Sequence, residues 1–157
     1  MKKPSFLFIA ALLWLPLVVC AEEYVQAQDP VAVIAHPSTQ VIQLSLPAAR
    51  SLFGLQRSHW PNGLPVKLAM LNYRSQMHSD FSKRLLRLYP QQLKFLQDRQ
   101  LLSGSRLPPL KLVSPQELLK FVSETPGALG YARYQDLKRT ELNVLVLSLD
   151  FAGLPED

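Results

Sequence analysis

The stretch LKLVSPQELLKFVSETPGALGYA, residues 110–132, decides the fold. Leu110 to Val113 is a short apolar run of strand character. Ser114-Pro115-Gln116-Glu117 then opens a helix: Ser114 caps it, Pro115 suits the first helical position, and Glu117 completes a capping box. Leu118, Leu119, Phe121 and Val122 supply its buried side. Thr125-Pro126-Gly127 stops it, and Ala128 to Ala132 returns to strand. A strand, a capped helix and a strand in so short a span are the unit of an α/β sheet covered by helices.

The alternation continues in both directions. Val31 to Ala35 is a β-branched run stopped by His36-Pro37-Ser38, and Val41 to Leu44 is a second short extended piece. Ser45-Leu46-Pro47 starts a helix with Leu46, Ala49, Leu52 and Phe53 on one face, and Gly54 ends it. Trp60-Pro61-Asn62-Gly63 is a turn and Val66 to Leu71 a strand. A helix is expected from about Met77 to Leu88, with Phe81, Leu85 and Leu88 at helical spacing and Lys83, Arg84 and Arg87 on a solvated face. Gln91 to Leu101 reads as a further helix, Ser103-Gly104 to Pro108-Pro109 as a loop, and Asn143 to Leu149 as the last strand. No internal repeat or low-complexity segment interrupts the pattern.

The first residues have a different character. Lys2 and Lys3 precede an uncharged apolar run from Phe6 to Val19, and Val19-Cys20-Ala21 follows. That is the layout of a secretory signal peptide, residues 1–21, with cleavage expected after Ala21 and a periplasmic destination. Lipidation at Cys20 is the competing reading, disfavoured by Val19 where a small residue is usual. Residues 22–30 read as a flexible segment and 31–157 as one domain, long enough for a single core. Cys20 is the only cysteine, so cleavage leaves none for disulfides or cysteine-rich zinc sites. Loss of Lys2 and Lys3 lowers the net charge from +5 to +3, too mild to argue for nucleic acid.

Catalytic and cofactor patterns are missing from the sequence. His36, His59 and His78 are widely spaced and read as surface or turn residues. There is no Gly-x-Ser-x-Gly elbow, no glycine-rich phosphate loop and no evident acid/base pair. The expectation is a non-enzyme without a cofactor. Trp60 and Tyr131 read as packing residues. The stretch with the best functional prospects is Asn72 to Asp80, between a strand and a helix. Asn72, Tyr73, Arg74, Ser75, Gln76 and Ser79 gather there with unpaired helix-start N–H groups, and these and Arg74 favour an anion; the alternative is that Ser75 or Ser79 only caps the helix and Arg74 is solvated.

The order of these segments resembles the phosphate-binding proteins of bacterial ABC transporters, a branch of the type 2 periplasmic-binding fold. Val31-Ala-Val-Ile-Ala-His-Pro-Ser38 is similar to the strand and turn entering that family's second lobe. Leu44 to Gly54 is similar to the helix ending in its Phe-x-Gly segment, and Trp60-Pro-Asn-Gly63 to its Trp-x-x-Gly. Phe81, Leu102-Ser-Gly104 and Pro126-Gly-Ala-Leu-Gly-Tyr131 have counterparts in the same order. The resemblance covers roughly Val31 to Ala132 and implies a single lobe of that fold: a central sheet flanked by helices, binding phosphate or another oxyanion.

Two departures bear on function. The family has two lobes with the anion between them, whereas this chain has residues for about one. The family's Ser-Gly-Thr is here Ser75-Gln76-Met77, with Arg74 directly before it; a side chain in place of the Gly restricts approach of the N–H groups to an oxyanion. The resemblance therefore implies a solute-binding-like protein with a weakened or altered site, with a membrane transporter as its partner and a homodimer as one way to rebuild a cleft. The alternative is a non-catalytic interaction or sensory accessory domain, bound to a membrane or periplasmic protein, that has lost its ligand. An apolar patch beside Arg74 would favour the second reading.

Overall fold

The computed structural model describes residues 29–104 and 106–151. The expected signal peptide and residues 22–28 lie outside the described residues. Within them, six strands form one sheet: β1 (Val31–Ala35), β2 (Gln43–Ser45), β3 (Lys67–Leu71), β4 (Leu110–Leu112), β5 (Ala128–Arg133) and β6 (Leu145–Asp150), in the order β2-β6-β1-β5-β3-β4. β1 runs antiparallel to β5 and β6, while β2–β6, β3–β4 and β3–β5 are parallel. Every strand except β1 therefore points the same way, and their carboxyl ends share one edge of the sheet.

All five residues of β1 are buried, as are the first five of β5. Such strands need cover on both faces. Tyr131 faces one side, where its ring stacks on Phe81 with centroids 4.1 Å apart and meets Phe53 at 6.4 Å. Gly130 faces the other, where a Cβ would lie 2.7 Å from Leu118 Cδ2 and 3.0 Å from Val122 Cγ2. The glycine lets helix α4 (Pro115–Glu124) settle against the strand. Gly127 serves the turn before β5. Its φ is +79°, and its carbonyl accepts both the Trp60 indole N–H (2.9 Å) and the Lys67 amide (3.1 Å).

Local signals in the sequence set most helix boundaries. Helix α1 (Leu46–Phe53) is capped by Ser45, whose hydroxyl accepts from Ala48 N–H, and it ends at Gly54. Its four expected apolar residues are buried. Ser114 caps α4 by accepting from Glu117 N–H at 3.2 Å, but Glu117 accepts from Val113 N–H rather than from Ser114. The capping box is thus only half formed, because the free amide within reach of the carboxylate lies one residue earlier.

The segment after β3 departs from expectation. Helix α2 (Gln76–Asp80) runs into a π-helical turn at Phe81–Leu85, where Leu86 N–H reaches Phe81 C=O at 3.3 Å. The extra residue in the turn rotates the following side chains. Leu86 is therefore fully buried, while the expected Leu85 and Leu88 are only partly so. Arg50 on α1 holds this turn, donating from Nε to Leu86 C=O at 2.8 Å. Helix α3 (Pro90–Leu102) follows, burying Leu93 and, unexpectedly, Gln97. A short helix, α5 (Tyr134–Lys138), occupies a region with no expected element. It ties down Asp29 and Pro30: Gln135 N–H donates to Asp29 Oδ2 at 2.8 Å and Tyr134 N–H to Pro30 C=O at 3.0 Å. Among the described residues, no helix is long and apolar enough to cross a membrane.

Candidate functional site

In open α/β sheets, ligands bind beyond the carboxyl ends of the strands. The loop leaving β3 lies at that edge and carries the residues singled out from the sequence. Asn72 builds the loop: its side-chain oxygen accepts from Arg74 N–H at 3.0 Å, and its carbonyl accepts from Ser75 N–H at 2.8 Å. Ser75 is the helix N-cap, yet its hydroxyl makes no capping bond. The first-turn amides of a helix have no intrahelical acceptor, so those of α2 are left without side-chain caps.

Arg74, Ser75, Gln76 and Met77 do not all face the same way. Arg74 and Gln76 are exposed, Ser75 is half-buried and Met77 is buried in the core. Met77 can therefore offer a backbone N–H but not its side chain. Gln76 Nε2 donates to Asp80 Oδ1 at 3.0 Å, and Arg133 pairs with Asp80 Oδ2 at 3.4 Å. The Asp80 charge is thus offset by Arg133 instead of opposing an incoming anion.

Arg74, Ser75 and Gln76 line a cleft of about 330 Å³. Ser79, Lys83 and Gln91 add polar groups, and Tyr73, Tyr89 and Pro90 complete the walls. Two cations, Arg74 and Lys83, line it and no carboxylate does. Lys83 was expected on a solvated face. Its spacing offered a clue: Ser75, Ser79 and Lys83 recur every four residues, which places them on one helical stripe. Tyr89 and Gln91 come from the next helix start and carried no such signal.

Beneath the loop lies a buried polar layer. Tyr131 O–H accepts from Leu71 N–H at 2.9 Å and lies 2.9 Å from His78 Nδ1. Nε2 is buried without a hydrogen-bond partner among the described residues, and the His78 ring meets Tyr73 edge to face at 5.2 Å. The expectation of a surface or turn histidine is therefore wrong for His78. Burial lowers its pKa from 6.5 to about 4, so it is neutral at neutral pH. Tyr73 donates to Gln97 Oε1 at 2.6 Å, and burial raises its pKa and keeps the phenol protonated. Gln97 Nε2 donates in turn to Phe53 C=O at 2.8 Å. Among the described residues, no three His, Cys, Asp or Glu side chains gather as a metal site.

This architecture is one lobe of a periplasmic-binding-protein fold, an assignment carried by solved structures rather than by sequence. PstS from Borrelia burgdorferi matches 82% of this chain at a TM-score of 0.61 and 14% identity. A putative phosphate ABC transporter substrate-binding protein with bound phosphate from Clostridium perfringens matches 78% at 0.58 and 13%. A possible phosphate-binding protein from Planctomyces limnophilus matches 80% at 0.58 and 16%. The chain spans 49%, 45% and 43% of these three proteins, about half of each. No protein-family model and no curated protein matches the sequence.

Proposed function

We propose that this chain is a non-catalytic, solute-binding-like protein of the periplasm that holds phosphate or a related oxyanion weakly at the end of β3. Arg74 and Lys83 supply charge, Ser75 and Gln76 supply donors, and Met77 contributes its backbone amide. The observation that carries the reading is the polar cleft at the carboxyl edge, with two cations and no carboxylate in its walls. The partner-binding alternative calls for an apolar patch beside Arg74, and the cleft walls there are mainly polar. Export would use residues 1–21, and mass spectrometry of the secreted protein should find Glu22 at its start. A membrane transporter, or a second copy of the chain completing the cleft, would be the functional partner.

A single open lobe leaves water at the ligand, so each charge contact is weak. The expected affinity is in the millimolar range, about −4 kcal/mol. Calorimetric titration with phosphate, with sulfate alongside, tests this. Arg74→Ala should weaken phosphate binding about fivefold, as for an exposed ion pair of about 1 kcal/mol. No heat at millimolar phosphate from a folded protein would refute the oxyanion reading and favour the accessory one.

A further inference from the structure

A second cavity, of about 430 Å³, lies at the opposite edge of the sheet, where Lys67 and Leu110 begin β3 and β4. Cavities that hold small organic molecules start at about 300 Å³. Its walls are largely apolar, built from Leu52 on α1, Leu55 just after it, Leu68 on β3, and Phe121 on α4. The charged groups lining it are Arg57, Lys67 and Arg106, with no carboxylate among them. Arg106 is held in place by backbone oxygens: its Nε donates to Leu55 C=O and its Nη2 to Gln56 C=O, each at 3.0 Å. Those carbonyls fix the guanidinium without neutralising it.

We propose that this cavity binds an amphipathic organic anion, with an apolar body against the leucines and Phe121 and one carboxylate head against the three cations. The inference stands apart from the oxyanion site, whose residues line neither wall. Charge complementarity selects this occupant. An added peptide strand is disfavoured, since Pro108 and Pro109 remove amides just before edge strand β4 and Lys111 sits on it. A two-fold pairing of copies through this face would set like charges against each other.

The test is calorimetric titration of the purified protein with decanoate, octanoate, decanol and acetate below their micelle concentrations. Decanoate should saturate one site, bind about tenfold more tightly than decanol, and exceed octanoate by up to about fourfold per methylene. Acetate should not bind. Combined Arg57→Gln and Lys67→Gln should weaken decanoate several-fold and leave decanol unchanged, with Arg106 accounting for the preference that remains. Leu110→Glu, at a position 44% exposed, should weaken decanoate up to about fivefold by placing a carboxylate at the mouth. Circular dichroism checks that each variant is folded. Arg74→Ala should leave decanoate unchanged, so failure of the phosphate reading does not touch this one. Equal binding of decanoate and decanol, no saturable binding of either, or self-association that blocks uptake would overturn the proposal.

Discussion

Tyr131→Phe removes one oxygen and leaves two buried groups without partners. The hydroxyl oxygen accepts Leu71 N–H at 2.9 Å and is hydrogen-bonded to His78 Nδ1 at 2.9 Å. The β3–β5 ladder ends at Leu68–Leu129, so no strand carbonyl takes over the Leu71 amide. Tyr131 and His78 are fully buried, which keeps water from substituting. The ring itself, stacked on Phe81, is retained, so almost no apolar burial is lost. Each stranded group costs about 1–3 kcal/mol, and relaxation trims the pair to about 2–4 kcal/mol in total. For a domain of this size that lowers the melting temperature by roughly 10 °C. Urea unfolding followed by circular dichroism measures the change directly, and the slope should stay constant. A loss below about 0.5 kcal/mol would mean that the hydroxyl bonds are absent or replaced by water, and would refute the account of this layer.

Gly127→Ala should destabilise by about 2–4 kcal/mol, since a Cβ would sit 2.3 Å from Pro65 C=O at φ +79°. Gly63→Ala, at φ +84° with nothing within 4 Å, should cost only the conformational part, about 1–2 kcal/mol, and the pair of urea curves separates clash from strain. Arg50→Met should cost about 1–2 kcal/mol and loosen the π turn, read as faster amide exchange around Leu86. Because His78 has a folded pKa near 4 against 6.5 unfolded, the unfolded chain binds more protons between those values. Stability is then fully present above pH 6.5 and falls by up to about 3 kcal/mol on acidification towards pH 4. Replacing His78 with Leu should flatten that part of the profile.

The parts of the fold written in short stretches were legible in the sequence. Ser45 and Gly54 delimit α1, the β-branched run marks β1, and Pro126-Gly127 marks the turn into β5, since each signal acts on its own neighbours. What escaped depends on distant contacts. The π turn is held partly by Arg50, 36 residues from Leu86, so a 3.6-residue period pointed to Leu85 and Leu88 instead. His78 became a core residue through Tyr131, 53 residues away, and Gln97 through Tyr73 and Phe53. The candidate site divides in the same way. Arg74 to Met77 stood out as a contiguous helix start and Lys83 lies two turns further along the same stripe, whereas Tyr89 and Gln91 join the site only once the start of α3 folds back beside it.

The loop that bears Arg74 and the core beneath it form one construction. Leu71, at the end of β3, is bonded to Tyr131, and Tyr73, two residues on, is bonded to Gln97. Asn72 then closes the turn that presents Arg74 and Ser75. The backbone entering the turn is therefore anchored by a buried hydrogen bond and Tyr73 within it by a part-buried one, while the next residue, Arg74, is exposed. Such a loop enters binding with little conformational entropy left to lose, which favours affinity. On the proposed reading, affinity is limited by the open side of the cleft, where no second wall among the described residues excludes water. If a second molecule covers that side, the gain comes from dehydrating Arg74 and Lys83 against the bound anion. Phosphate affinity should then rise with protein concentration, and Arg74→Ala should diminish the rise as well as weaken the basal binding.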